Sequence, residues 1–519
     1  MSRQFVTATL AAALIALAAP PSHAAAAGLP STNVAWRVAA ADADIERAFA
    51  EARAQSKPLL LYWGATWCPP CNQLKATLFN RQDFATQSRH FVAVFVDGDR
   101  PAAQKLGARF KVSGYPTMVL FTPAGAEITR LPGEADAPQV LALLDAGLAG
   151  GRPIASVLAD ARAGRTLTAN EWRMLAFHSW DIDGSGLVAD ADRPAVLAEL
   201  ATKSPPGDSE TTTRLWLKAL AASDDGKGLK PDAVLAQRLN RVLDDPAASR
   251  AHMDVLIGGA DDMVKALTGE DAPERAPLVA RFDQALARLQ GDASLSRGDR
   301  VGALIARVQL ARLGQPKDST TPQLPPALVA EVRETAARMD REIRDGYERQ
   351  AVITSVAYLQ GQAGLWAESD ALLKSNLAKS HSPYYLMSQL GSNARKLGRN
   401  EEALGWFRQA YETSTGPATR LQWGASYVSA LVDLAPSDAR GIEKAALSVF
   451  DDAAKDSGAW HERSARSLQR VGKKLTSWNA DGKHARTLER LRVRVDALCT
   501  RARDAERETC RGLLASPKG

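Results

Sequence analysis

The sequence predicts an α/β domain near the N-terminus joined to a long all-α region, and three observations carry that reading. Between about residues 35 and 150, short apolar runs of strand length alternate with segments whose apolar residues recur at helical spacing. Past Gly147–Pro153 no convincing strand is found, and Ala/Leu/Arg-rich segments of helical spacing run nearly to the end. In the last third, Gly364–Ser369 and Gly398–Ala403 repeat at a distance of 34 residues, a period that suits a two-helix unit.

Length and composition bound the answer. A chain of 519 residues is too long for one ordinary domain. With 45% apolar and 24% charged residues it is neither disordered nor a multi-span membrane protein. Arg3, the apolar segment from Phe5 to Ala19 and the small residues around Ala24 have the pattern of a secretory signal peptide over residues 1–24. No later run reaches the roughly 18 apolar residues of a membrane span. The expectation is an exported protein without stable membrane insertion, periplasmic if the cell is Gram-negative. In such a compartment disulfides persist, so Cys68 with Cys71 and Cys499 with Cys510 become candidate pairs.

The α/β elements follow in order. Pro30 to Ala40 is a lead-in, and Asp42 to Ala54 is helical, with Ile45, Ala48 and Phe49 on one face. Leu59 to Trp63 is a buried strand, broken by Gly64-Ala65-Thr66. A helix then runs from Cys71 to about Phe79, with Leu74, Leu78 and Phe79 at helical spacing. Phe91 to Val96 is a second strand, followed by a turn at Asp97–Pro101 and a helix through Lys105 and Phe110. Thr117 to Phe121 and Glu127 to Leu131 are strands joined by a hairpin at Pro123-Ala124-Gly125, and a helix from Pro138 to Leu148 closes the unit. Strands separated by helices pair in parallel, and the final hairpin pairs antiparallel.

The residues that imply chemistry lie at the first strand-to-helix junction. Pro69 suits a first helical turn, which tolerates a missing N–H, so Cys68 falls at the helix N-terminus. Unpaired N–H groups and the positive end of the helix dipole favour a thiolate there, as a cysteine nucleophile requires. Cys71 is one turn away and within reach for a disulfide. A Cys-x-x-Cys can also be half of a zinc site or an inert disulfide. No second Cys-x-x-Cys or His-x-His lies in this domain, and His90 stands alone, so no metal is assigned and redox chemistry is the leading reading.

Trp67-Cys68-Pro69-Pro70-Cys71 at a strand-to-helix junction, with Gly114-Tyr115-Pro116-Thr117 about 45 residues later before another strand, resembles the thioredoxin family over residues 35–150. The resemblance implies a cis bond at Pro116 facing the Cys68/Cys71 disulfide. It also implies catalytic roles for both cysteines, and substrate positioning by Trp67, Tyr115, Pro116 and Thr117. No organic cofactor is implied. The expected partners are disulfide-containing client proteins and a thiol/disulfide electron-transfer partner. Many thioredoxins place a buried Asp six positions before the first cysteine, where this chain has Tyr62. A tyrosine of ordinary pKa is a poor base at neutral pH, so protons for Cys71 need water or another group.

Residues 151–345 read as a helical region and 346–519 as helical repeats with a helical end. Leu372, Leu373 and Leu377 align with Trp406, Phe407 and Tyr411, and with small residues at Ser369 and Ala403 the pattern resembles the tetratricopeptide repeat. A less regular third unit falls over Ile442 to Phe450. Helical pairs of this kind stack and offer a surface to a protein partner. Asp181, Asp183, Ser185 and Asp192 sit at four ligand positions of an EF-hand calcium loop, but the twelfth residue is Asp rather than Glu, and a helix ending in an Asp/Gly turn explains the same residues. Cys499 and Cys510 would lie about 16 Å apart in one straight helix, so pairing them as a structural staple requires a break between them. From Glu462 to Arg511 the chain carries 14 Lys/Arg and 7 Asp/Glu, within an overall charge of +6. The acids are interleaved, as on a solvated helix face, and nucleic acid is not an expected partner.

The sequence therefore predicts an exported thiol–disulfide oxidoreductase with a helical partner-binding region; its Pro69-Pro70 dipeptide resembles that of exported thioredoxin-like reductases, and that resemblance implies the reductase type. The competing reading is an adaptor or chaperone scaffold whose α/β domain is a docking platform.

Overall fold

Alternation along one strand divides the α/β core into two layers. In the computed structural model, which describes residues 29–182, 186–206, 209–223, 226–500 and 502–515, β1 (Arg37–Ala39), β2 (Leu59–Gly64), β3 (Val92–Asp97), β4 (Thr117–Phe121) and β5 (Glu127–Leu131) form one sheet in the order β1-β3-β2-β4-β5. The leader expected at residues 1–24 lies outside the described residues. β2 is buried along its whole length. Leu60 and Tyr62 face a core with Phe79, Phe95, Leu120 and Ile128, and Leu59, Leu61 and Trp63 face one with Ile45, Phe49, Val94 and Phe121. Cover on both faces is why this strand is a continuous apolar run rather than an alternating one.

Pairing follows the expected connections for the β2–β3 crossover and the final hairpin, but β4, also reached through helices, pairs antiparallel to β2. β3 is parallel to both β1 and β2, whereas β4 is antiparallel to β2 and β5. The helices are α1 (Asp42–Ala54), α2 (Pro69–Leu74), α3 (Gln82–Gln87), α4 (Ala103–Arg109) and α5 (Ala137–Leu148), with α2 running on through a π turn at Lys75–Phe79. Two elements escape the periodicity argument. β1 is three residues at the sheet edge inside the expected lead-in, and α3 is six residues of mixed polarity, each too short to show a period.

The turn at Gly147–Pro153 punctuates the chain without ending the core. A side chain at Gly147 would meet Leu120 Cδ2 at 2.5 Å, so α5 sits close on the sheet. The apolar cluster beneath β2 continues through Leu158, Trp172, Phe177, Leu197 and Leu215 of the following helices. All described regular structure after α5 is helical. Farther along lie Gly346–Gln362 with Trp366–Asn376, Pro383–Lys396 with Asn400–Thr413, and Pro417–Leu434 with Ala439–Ala453, each helix packed on its successor. The sequence repeat marks the turn inside the first two pairs. Gly364 and Gly398 take φ of +78° and +71° there, a left-handed backbone that favours glycine after a helix C-terminus. The third pair lacks such a glycine and turns into an Asp438 cap, and its second helix falls late in register because its first helix, Pro417–Leu434, has 18 residues against 14 in Pro383–Lys396.

Two covalent or ionic ties stand out in this array. The helix Ala485–Cys499 stops before Asp504–Arg511 begins, and across that break Cys499 and Cys510 are disulfide-bonded with Cα atoms 5.5 Å apart. Both are buried against Leu468, Leu491 and Leu513. Nearer the sheet, buried Arg214 donates to Asp254 Oδ1 at 3.0 Å and stacks its guanidinium 3.8 Å from the centre of Phe177. Burial raises the Asp254 carboxyl, but the Arg214 charge and hydrogen bond overcome that and hold it below the usual range.

Removing one partner of the buried pair strands the other charge. Asp254→Ala should lower unfolding free energy by about 3–5 kcal/mol, seen as an earlier urea midpoint. Cys510→Ser should cost about 3 kcal/mol by the loop-closure argument, measured the same way under non-reducing conditions.

Candidate active site

Chain direction brings two loops together at one end of the sheet. β2 runs out of Gly64 into Cys68, and β4 enters beside it, with Trp63 paired to Thr117 and the cis Tyr115-Pro116 bond one residue earlier. Cys68 is the N-cap of α2, its Sγ accepting from the Cys71 N–H at 3.2 Å, and the two cysteines are disulfide-bonded with Cα atoms 5.2 Å apart. Asn72 fixes the loop from behind, donating to the carbonyls of Thr66 (2.7 Å) and Cys68 (2.9 Å). Thr117 Oγ1 donates to the Gly114 carbonyl at 2.9 Å and holds the second loop. Tyr115 packs on Ala65, Cys68 and Cys71, and its hydroxyl accepts from Gln104 Nε2 at 2.6 Å. The hydroxyl also explains a glycine: a Cβ at Gly98 would lie 2.0 Å from it.

Tyr62 is a core residue and no base. It stacks on Phe95 at 5.4 Å, meets Phe79 edge-on at 4.7 Å, and its hydroxyl finds no hydrogen-bond partner among the described residues. Burial, with the Asp97 charge in second place, pushes its ionisation well above the tyrosine range. The titratable groups near this core are Lys75 and Asp97, which sequence reasoning missed. Lys75 lies four residues after Cys71 and is buried, with Nζ 4.8 Å from the centre of the Tyr347 ring. Burial lowers its pKa, and the attraction of Asp97 opposes that fall. Asp97, at the end of β3 opposite Gly64, is raised by burial and further by Asp99. The available signal was the spacing: a lysine one turn beyond Cys71, between the core residues Leu74 and Leu78, points inward.

The cysteine expected to be reachable is covered. Cys68 is 2% exposed and Cys71 0%. The cover comes from the helical region, through Trp67. The Trp67 ring stacks on Tyr385 at 5.9 Å, meets Trp423 edge-on at 6.3 Å, and donates from Nε1 to Asp99 at 2.7 Å. Gln350 Nε2 donates to the Trp67 carbonyl at 3.3 Å. Arg463 completes the cage, bonded to Asp99 at 2.6 Å, with its guanidinium 4.8 Å from the Trp67 ring and 5.1 Å from Tyr115. Its backbone N–H donates to Gln104 Oε1 at 3.1 Å, so one residue of a distant helix joins Asp99, Trp67, Tyr115 and Gln104. Further polar links from Gln73 to Asp299, from Ala102 to Asp456 and from Arg466 to Ser113 seat the array on the same end of the sheet.

Residues 45–148 match a family described as a thioredoxin-like domain. The N-terminal unit is a thioredoxin-like domain. Over it, the chain is 33% identical across 117 residues to the thiol:disulfide interchange protein DsbD 1 of Pseudomonas aeruginosa, covering 21% of this chain and 20% of that protein. DsbD 2 of the same organism is 31% identical across 116 residues, covering 22% and 20%. The solution structure of a thioredoxin from Thermus thermophilus is 28% identical and covers 22% of this chain and 86% of that one, with a TM-score of 0.20. This chain thus spans about a fifth of the length of the curated relatives it matches. The likeness lies in the thioredoxin-like domain, which carries the cysteine pair and the cis-proline loop and supports thiol–disulfide oxidoreductase chemistry.

The candidate calcium ligands, against which the Asp/Gly turn is preferred, are only partly within the described residues. Asp183 and Ser185 lie outside the described residues, Asp181 is exposed with Arg193 3.5 Å away, and Asp192 caps the helix Arg193–Lys203 with Pro194 in its first turn. Among the described residues no three His, Cys, Asp or Glu side chains are grouped to hold a metal ion. No described helix is long and apolar enough to cross a membrane.

Arg463 supplies a desolvated charge to two rings and a carboxylate, interactions worth about 1.5–3 kcal/mol. Arg463→Ala should therefore speed alkylation of Cys68 in the reduced protein by roughly tenfold or more, since tenfold corresponds to about 1.4 kcal/mol. An unchanged rate would mean that Arg463 does not hold the cover.

Proposed function

We propose that this protein is an exported thiol–disulfide oxidoreductase of reductase type, whose helical region engages protein partners. The observation that carries the reading is Cys68 at the N-cap of α2, accepting the Cys71 N–H, beside a cis-proline loop. A sulfur so placed is stabilised as thiolate by the helix terminus. In the reduced enzyme the Cys68 thiolate attacks a client disulfide: a Cys68–client S–S bond forms, the client S–S bond breaks, and its second sulfur leaves as a thiolate that takes up a proton. Cys71, deprotonated, then attacks Cys68 Sγ, releases the client's first sulfur as a thiol and restores the Cys68–Cys71 bond. Two electrons pass to the client, and a thiol/disulfide partner returns two electrons to the pair. In this reading buried Lys75, four residues after Cys71, and half-buried Asp97 are the titratable groups assigned to transfer of the Cys71 proton. Trp67, Tyr115, Pro116 and Thr117 shape the face the client meets. The leader-like N-terminus supports export, and the repeat, which resembles tetratricopeptide units, supports partner binding.

One observation favours a second reading. The burial of Cys68 beneath Trp67, Tyr385, Trp423 and Arg463 suits an adaptor in which the thioredoxin-like domain is a docking platform for the helical array.

The two separate in one experiment. If the enzymatic reading holds, wild type reduces insulin disulfides in the presence of a thiol donor, Cys71→Ser abolishes turnover, and the variant accumulates mixed disulfides through Cys68 that thiols release. Absence of both reduction and trapped species would leave the scaffold.

A further inference from the structure

The cover over Trp67 leaves one side of the cysteine motif open. Pro69 and Pro70, the residues between Cys68 and Cys71, form one end of a groove of about 660 Å³ whose other walls are helices Gly346–Gln362 and Pro383–Lys396 with Trp423. That volume falls in the range of ligand-binding clefts. Its wall is chemically selective. It carries four aromatic side chains, Tyr358, Trp366, Tyr385 and Trp423, set among hydroxyls and amides. It has no carboxylate, and its one charged side chain, Lys396, is paired with Asp318 at 2.9 Å. Such a wall offers nothing to neutralise a strongly charged ligand.

Two of its polar atoms are unspent. Trp423 Nε1, a donor, and Gln389 Oε1, an acceptor, are buried without a hydrogen-bond partner among the described residues, although buried polar atoms are generally paired. The other end of the same amide is used, since Gln389 Nε2 donates to the Thr354 carbonyl at 3.0 Å. Both atoms are closed off in this arrangement; turned toward the groove, this donor and acceptor would meet the carbonyl and N–H of a peptide flanked by apolar side chains. At the rim Tyr358 is 44% exposed and forms an accessible wall of the groove.

We infer that this groove binds an extended, largely uncharged polypeptide segment of the client and leads it to Cys68 past Pro69-Pro70. The inference deepens the oxidoreductase reading and rests on it for the choice of ligand. Tyr385 and Trp423 both line the groove and pack on Trp67. A segment seated in the groove therefore presses on the two rings that cover the disulfide, so docking and uncovering are coupled through the same side chains.

The test uses the full chain and a probe that has no reactive sulfur and no added charge, the S-carbamidomethylated insulin B chain carrying a fluorophore, with binding read by anisotropy. Wild type should bind it. Ser392→Trp, at an exposed groove position, should weaken binding tenfold or more by filling the cleft, and Tyr358→Ala about threefold by removing a wall. Both positions are exposed, and an unchanged thermal midpoint shows that each variant is folded. Failure of wild type to bind, or binding unmoved by both substitutions, overturns the groove assignment. Insulin reduction by wild type is scored separately. Reduction without B-chain binding removes the groove and keeps the enzyme, whereas groove-dependent binding without reduction keeps the groove and removes the enzyme.

Discussion

A single guanidinium decides how the two halves of this chain meet. Arg463 lies almost 400 positions after the cysteine motif, yet its charge is shared among the Asp99 carboxylate and the faces of Trp67 and Tyr115. Each ring is in turn tied to the redox motif, Trp67 by sequence and Tyr115 by its packing on Cys68 and Cys71. A cation over an aromatic face gains strength as water is removed. Tyr385 and Trp423 remove it, so the stacking of the rings and the charge beneath them reinforce one another. The rest of the interface, from Gln73 to Arg466, has polar contacts that fix register around this centre.

The thioredoxin-like part was largely legible because its signals are local. A run such as Leu59 to Trp63 that is apolar at every position has few fates besides a central strand, and Pro69 and Pro70 after Cys68 start a helix by their fixed φ. The loop Gly114–Thr117 was recognised from its resemblance, and its cis bond is present. The illegible parts are those without a period or with remote causes. β1 is held by three pairings to β3 rather than by its own propensity. The role of Lys75 depends on burial that Tyr347 completes from another region. No window of sequence around Cys68 announces that Gln350, Tyr385, Trp423 and Arg463 converge on it.

The apparent boundary near residue 150 illustrates the difference between a break in the chain and a break in the core. Glycines and proline at 147–153 do end α5, as composition indicates. Apolar residues on either side nonetheless share one cluster, from Phe79 and Leu143 to Trp172 and Leu215. The family match ends at residue 148, while the packing does not.

Because the cover is tethered to the disulfide it hides, it behaves as a resident competitor whose local concentration never falls on dilution. A client of fixed intrinsic affinity is then bound more weakly by the fraction of time the sulfur stands clear. Under the proposed groove, two substrates with identical cysteines but different flanking segments would differ in rate by how well each displaces Tyr385 and Trp423. Selectivity would then reside in leverage on a shield, with the sulfur chemistry itself left indifferent.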